Sequence, residues 1–455
     1  MKLKDKYDLN LYKFKIQFTY NCMFIRTRKS ELIDFIEDTH KNKPVMIFAG
    51  ARQVGKTTLI EETLKNRPHL FLNLEKNPSH AESIDRCADF TEFSAWLKES
   101  HRFEPTRQAL VIDEAQQSLK LGSFVRFMKE EWEGTTVILT GSAINELHLE
   151  TPRRPVGRET HLTLWPMTFK EFLMAAGQES LERTISKFHP GDSLTDSQHE
   201  RLMDWMDKYL AVGGLPEVIQ YFLAGKDYNK LRRDIFKSYE DDFIRYFAIE
   251  NVNLFKRCFE AVAANVGSPS KDSQAVRLDG PGYKKIAGIF ARLEKWKLII
   301  KCEQLGTSPE SNKYHPKRYI YDIGVLADLR LKGMQTLSLK DLSHPVLRTP
   351  LGGLIENHIA LSLTNQFEDF FGIRLSTQAE IDFAVKVNGK IYPIECKIAS
   401  KFKLNHMTSL VTYLSKHTTN GYGFFFYGGP PQPITKNSYI LPYYLVDEMK
   451  RWLIG

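Results

Sequence analysis

The stretch from Val45 to Ile60, VMIFAGARQVGKTTLI, carries residues whose types and spacing suit the binding of a phosphate chain. A short apolar run ends at Gly50, and Ala51, Arg52, Gln53 and Val54 separate it from Gly55, Lys56, Thr57 and Thr58. This is the G-x-x-x-x-G-K-T pattern of a P-loop set between a strand and a helix. The glycines let backbone N–H groups turn inward round a phosphate, the start of the following helix adds partial positive charge, and Lys56 adds a full one. Thr57 offers its hydroxyl to magnesium, so ATP and Mg²⁺ are the expected ligands. A glycine-rich turn that merely joins two elements is the bland alternative, and the complete motif in its strand and helix context argues against it.

A second signal is ALVIDEAQ, which puts Asp113 and Glu114 at the C-terminal end of an apolar strand. That is the sheet edge on which the P-loop also lies. Asp113 is expected to hold Mg²⁺ through its waters, and Glu114 to orient and polarise the water that attacks the γ-phosphate. A small-molecule kinase must exclude that water, so Glu114 favours hydrolysis. LTGSA then supplies Thr140 and Ser142 as polar sensors of the γ-phosphate, with Ser142 preferred. Arg158, in PVGRET, is the candidate for a charge supplied to a neighbouring subunit's nucleotide, a device worth roughly 10³–10⁵ in rate. Arg153 and Arg154 compete for that role, a plain surface arginine is the alternative, and a contact in trans requires a homo-oligomer.

A third cluster lies in Glu380 to Lys397, EIDFAVKVNGKIYPIECK, where Asn388-Gly389 signals a two-residue hairpin turn. Pairing Val387 with Lys390 makes Asp382 face Glu395 and Glu380 face Lys397. Alternation then gathers these four residues on one face and Phe383, Val385, Tyr392, Ile394 and Cys396 on the other. Facing carboxylates repel unless a cation lies between them, so Asp382 with Glu395 suits Mg²⁺. Lys397 would help to generate or orient hydroxide for phosphodiester cleavage. The alternative is an ion-paired solvent face in which Lys397 neutralises Glu380.

These residues need elements to position them. Strands at Val45–Ala49, His69–Glu75, Ala109–Asp113, Thr136–Thr140 and His161–Trp165 alternate with helical stretches, which predicts a parallel sheet covered on both faces. Thr168 with Glu171 forms a capping box for the next helix, which Gly177 stops. Residues 167–345 read as mainly helical. Within them Ile286, Ile289, Phe290, Leu293 and Trp296 make an apolar stripe, and strands at Leu298–Cys302 and Arg318–Asp322 follow, as in a winged helix. Lys284, Lys285, Arg292 and Lys295 on that helix are read as a solvated face, with contact to DNA phosphates as the alternative.

Taken in order, GARQVGKTTL, VIDEAQ, LTGS, GR ahead of PMTFKEF, GGLPEV, KRYIYDIGVL, LIEN, AEIDF and PIECK resemble a large bacterial and archaeal family. Its members are AAA+-type P-loop ATPases with a C-terminal domain of restriction-endonuclease-like fold. The resemblance runs from about Arg26 nearly to the C-terminus. It implies an α/β protein with a five-stranded AAA+ core, a helical and winged-helix-like middle and a nuclease-like tail. The D…E-x-K arrangement of Asp382, Glu395 and Lys397 matches that fold's core, with Glu356 of LIENHIALSL in the place of its helical acid and third metal ligand. No substrate is implied. The N-terminal arm stands outside the pattern, and Cys396 replaces a usual valine.

Expected domains are therefore a basic arm at 1–30, the P-loop core at 31–166, the helical region at 167–345 and the nuclease-like domain at 346–455. Of the net charge of +8, the arm carries most: Lys2, Lys4, Lys6, Lys13, Lys15, Arg26, Arg28 and Lys29 oppose only Asp5 and Asp8. The remainder is nearly neutral, so overall charge does not point to nucleic acid. Tyr12 to Tyr20 alternates like a strand, as an added sheet edge or as an extension ahead of Met23 that has no function. The 5 cysteines are scattered and suit a reducing cytoplasm, and no apolar run is long enough to cross a membrane. The expected activity is Mg-ATP hydrolysis linked to a nuclease-like, DNA-acting domain, and the rival is a nucleotide switch that binds a protein or nucleic acid without cutting.

Overall fold

The computed structural model describes residues 24–147, 157–246, 252–271, 283–306, 314–331, 345–376, 379–417 and 421–455. The proposed strand at Tyr12–Tyr20 and the competing Arg153 and Arg154 lie outside them.

Five strands, β1 (Val45–Ala49), β2 (His69–Asn73), β3 (Ala109–Asp113), β4 (Val137–Thr140) and β5 (Glu159–Thr163), form a wholly parallel sheet in the order β2-β3-β4-β1-β5. Alternation along each strand divides its apolar residues between two cores. Val45, Ile47, Leu110, Ile112, Val137 and Leu139 pack beneath the helices Pro78–Arg86, Phe90–His101 and Leu121–Glu131. Met46, Phe48, Val111 and Ile138 join a second core that continues into the helical region and the C-terminal part. Both faces are covered, as near-continuous apolar strands require. β5 lies two residues earlier than its expected span, and the helix Pro78–Arg86, entered through a proline, was not foreseen.

The helical region contains Asp196–Val212, Pro216–Leu223, Tyr228–Tyr246, Val252–Ala264 and Tyr283–Lys295. The foreseen stripe on the last of these is buried. GGLPEV and YDIG, distant in sequence, meet where Asp322 accepts the Gly214 N–H at 2.7 Å and the Val325 N–H at 2.9 Å. A side chain at Gly213 would lie 2.5 Å from Asp322.

β6 (Ile299–Gly306) and β7 (Lys317–Ile320) pair antiparallel as a two-stranded wing would, but they do not stand alone. They join β8 (Phe371–Arg374), β9 (Glu380–Val387), β10 (Lys390–Cys396), β11 (Gly423–Tyr427), β12 (Gln432–Thr435) and β13 (Ser438–Pro442) in an eight-stranded sheet of order β12-β13-β11-β10-β9-β8-β6-β7. β6 turns one edge to β7 and the other, parallel, to β8. The long helix Pro345–Gln366 packs against this sheet and against the turn Tyr443–Glu448.

At that seam Asp447 accepts from Ser362 Oγ at 2.6 Å and from the Lys170 N–H at 3.4 Å. Burial pushes its carboxyl up from 3.8 to about 6. The folded chain therefore binds a proton that the unfolded chain releases between these values, so stability from this group falls as pH rises from about 4 to about 6. Asp447→Asn should flatten that decline in urea unfolding measured at pH values across the window; an unchanged slope would show that Asp447 does not titrate there.

Candidate functional site

β1 delivers the chain to Gly50, whose φ of +154° and lack of a side chain are both used, because a Cβ here would lie 2.4 Å from the Leu164 carbonyl oxygen. Gln53 and Gly55 also adopt positive φ, 61° and 96°, and the helix Lys56–Leu64 starts directly after. Lys56 Nζ donates to the carbonyls of Gly50 at 2.8 Å and Ala51 at 3.0 Å, closing the loop on itself. Burial lowers the ammonium's pKa, while Glu114 and Asp113 draw it the other way. A phosphate entering the loop would replace these carbonyls as the partner of Lys56.

Thr57 Oγ1 donates to Asp113 Oδ2 at 3.0 Å, which brings together the two residues expected to hold magnesium. Asn73, at the end of β2, donates to the same oxygen at 3.0 Å. Glu114 sits at φ 53°, a left-handed conformation that is uncommon for a residue with a side chain and collects at functional sites. Its carboxylate accepts Gln116 Nε2 at 2.6 Å, Ser142 N–H at 3.3 Å and Ser142 Oγ at 3.2 Å. Gly141 allows this arrangement, because a Cβ there would lie 2.1 Å from Gln116 Oε1. The Thr140 hydroxyl bonds the Phe48 carbonyl at 2.9 Å inside the sheet.

Ser142→Ala should lower ATP turnover about tenfold, the value of one hydrogen bond to a charged group. Steady-state turnover beside nucleotide affinity is the check. Unchanged turnover would remove Ser142 from the machinery.

The P-loop is clamped from outside by residues that its motif does not reveal. Arg26, buried, donates to the Val54 carbonyl at 2.6 Å, to the Trp165 carbonyl and to Glu171 at 3.2 Å. Arg52 turns away from the loop to pair with Asp242 at 2.7 Å on the helix Tyr228–Tyr246 and with Glu75 at 3.5 Å. Tyr239, a turn earlier on that helix, donates to the Arg52 carbonyl at 2.9 Å. Arg158 lies at the far end of the sheet, where its carbonyl accepts the Val45 N–H, and it pairs with Glu130 at 3.0 Å. It is therefore remote from its own chain's nucleotide site.

These motifs coincide with a recognised domain. Residues 42–173 match a family model described as an AAA domain, and residues 203–337 match a domain of unknown function. The P-loop and the Asp113–Glu114 strand both lie inside this AAA-like stretch, called the AAA-type domain for its similarity. An uncharacterised protein of Haemophilus influenzae is 24% identical over 296 residues, spanning 62% of this chain and 68% of its own length. An uncharacterised protein of Methanocaldococcus jannaschii is 20% identical over 220 residues, 47% of this chain and 44% of its own. Solved structures that align include a signal transduction ATPase with numerous domains (STAND) and a tetratricopeptide repeat sensor from Pyrococcus horikoshii, at TM-score 0.29 and 12% identity over 76% of this chain and 46% of that one. Cdc6p from Pyrobaculum aerophilum aligns at TM-score 0.27 and 13% identity over 70% of this chain and 96% of that one. No helix among the described residues is long and apolar enough to cross a membrane.

Outside the AAA-type domain, the hairpin has the expected register: Lys390 pairs with Val387 and Ile394 with Phe383, with Asn388 and Gly389 at φ 49° and 78° in the turn. The apolar face is as expected, with Phe383, Val385, Ile394 and Cys396 buried in one core and Tyr392 packed against it. Pairing with β8 shifts between Phe371–Ala384 and Ile373–Ile381, which places one extra residue on β9, a bulge. Ile381 therefore joins a different core from Phe383. Glu380 does not meet Lys397; it pairs with Lys317 at 2.9 Å and with Arg374. Lys397 instead pairs with Glu395 at 2.6 Å and lies 4.0 Å from Asp382.

The residue that sequence reasoning missed is Lys317. It is wholly buried on β7, with Nζ 3.1 Å from Glu356, 2.9 Å from Glu380 and 3.6 Å from Asp382. Burial alone would lower its pKa, but these three carboxylates hold it well above the ordinary value. Tyr319 donates to Glu356 at 2.8 Å, and Asp382 Oδ2 accepts the Cys396 N–H at 2.9 Å. Burial, then the charge of Asp382, raises the Glu395 carboxyl. The three expected metal ligands do not fit one divalent ion: Glu356 and Asp382 converge on an ammonium, and Glu395 turns to Lys397. No group of three or more metal-ligating side chains occurs among the described residues.

Proposed function

We propose that this chain is a Mg²⁺-dependent ATPase whose cycle acts on its C-terminal sheet. The observation that carries the reading is the contact of Thr57 with Asp113 at the P-loop, beside a Glu114 carboxylate that Gln116 and Ser142 hold in place. The backbone of Gly50, Ala51, Arg52, Gln53, Val54 and Gly55 with Lys56, Thr57 and Thr58 would bind the phosphates. Thr57 and Asp113 are an oxygen donor pair that suits Mg²⁺, which when bound neutralises phosphate charge. Glu114 orients the attacking water and takes its proton, and Ser142 fixes where Glu114 points. Purified protein should hydrolyse ATP; turnover that survives Lys56→Ala sinks the proposal.

For the C-terminal cluster, two readings divide. One is DNA cleavage through Asp382, Glu395 and Lys397 with a metal; the other is binding of a protein or nucleic acid without cleavage. Lys317 among Glu356, Glu380 and Asp382 favours the second. A panel of DNA and RNA substrates with Mg²⁺ or Mn²⁺ tests it, and cutting that is lost in Lys397→Ala restores the first. Arg158, if it serves a neighbour in a homo-oligomer, should make specific turnover rise with protein concentration in wild type and not in Arg158→Ala.

A further inference from the structure

Lys317 is held on all sides. Its backbone lies in the β6–β7 ladder opposite Cys302, its side chain has no solvent exposure, and its three carboxylate partners come from the helix Pro345–Gln366 and from β9, where Glu380 precedes the bulge and Asp382 lies in it. Each partner also has another contact: Glu356 with Tyr319, Glu380 with Arg374, Asp382 with the Cys396 N–H. The ammonium cannot reach water without opening the strand, and an unpaired buried ammonium is costly. Lys317, Arg374 and Lys397 already set three positive charges among Glu356, Glu380, Asp382 and Glu395, which leaves too little negative charge for a divalent ion.

We propose that Lys317 is the resident cation of this carboxylate cluster: its ammonium occupies the point where a metal would bind, and a metal enters only when the ammonium is removed. The inference deepens the non-cleaving reading of this site and rests on it. The cluster is then an internal ionic lock that joins β7, β9 and the long helix. Replacing Lys317 by an uncharged side chain leaves three carboxylates facing an apolar methyl group, a set of hard oxygen donors of the kind that binds multivalent cations.

Terbium(III) is a suitable probe, because it seeks carboxylates and can be excited through a nearby tyrosine, here Tyr319. The full-length, nucleotide-free protein should show no terbium luminescence that Asp382→Asn removes. Lys317→Met should show a saturable signal roughly tenfold above wild type, and Lys317→Met with Asp382→Asn should lose it. A wild-type signal that falls in Asp382→Asn overturns the proposal, as does a folded Lys317→Met that gains nothing. If Lys317→Met is unfolded alone, folding on addition of Mn²⁺ supports the proposal. If it is unfolded in both conditions, the wild-type titration decides. DNA cutting by a wild-type protein that stays silent to terbium would end the non-cleaving reading and leave the role of Lys317 standing.

Discussion

Glu114→Gln is expected to lower ATP turnover by roughly 10²–10⁴-fold, the usual contribution of a positioned proton acceptor. Nucleotide affinity should be kept, because the hydrogen bonds of the Glu114 carboxylate among the described residues go to Gln116 and Ser142. Glutamine has the same shape and still accepts a hydrogen bond from Ser142, so loss of turnover would report the missing charge and not a collapsed site. Single-turnover hydrolysis beside binding of a fluorescent nucleotide is the measurement. Hydrolysis close to wild type would remove Glu114 from the reaction, and equal losses of affinity and turnover would give it a structural role.

Arg26→Met is expected to cost about 3–5 kcal/mol of stability, as breaking one side of a buried ion pair does. Arg26 is the donor that joins the Val54 carbonyl, the Trp165 carbonyl and the Glu171 carboxylate. Methionine fills most of the volume but leaves two carbonyls and a carboxylate short of a partner. Glu171 keeps the Thr27 and Thr168 N–H groups, which limits the damage to that side. Urea unfolding checks the stability. Because the Val54 carbonyl belongs to the P-loop, nucleotide affinity should fall together with it, and a variant as stable as wild type would show that the clamp is not needed.

How far the sequence could be read depends on how local the causes are. The P-loop, the Asp113–Glu114 pair and the Asn388-Gly389 turn are set by neighbours along the chain, and each lies where its spacing predicts. The capping box of Thr168 and Glu171 is likewise present. Glu171 has a second use that no local pattern announces, since Arg26 reaches it across 145 positions. Asp242 and Lys317 were missed for the same reason. A buried lysine in a strand looks from sequence like an exposed one until the strand order brings three carboxylates to it. The bulge in β9 was illegible because it arises from pairing with β8 and not from the hairpin itself. One inserted residue was enough to send Ile381 to the opposite core from Phe383, against strict alternation.

β6 bonds to β7 on one edge and to β8 on the other. A ladder of this kind does not act as a hinge, because bending there would break several interstrand bonds, each worth about 0.5–1.5 kcal/mol. The helix Tyr283–Lys295 that leads into β6 also touches the AAA-type domain, where Asn145 bonds the Lys295 carbonyl at 2.5 Å. Asn145, the helix Tyr283–Lys295 and the two ladders of β6 thus make one unbroken run of hydrogen-bonded structure from the AAA-like stretch to the far sheet, a strut whose ends cannot turn independently.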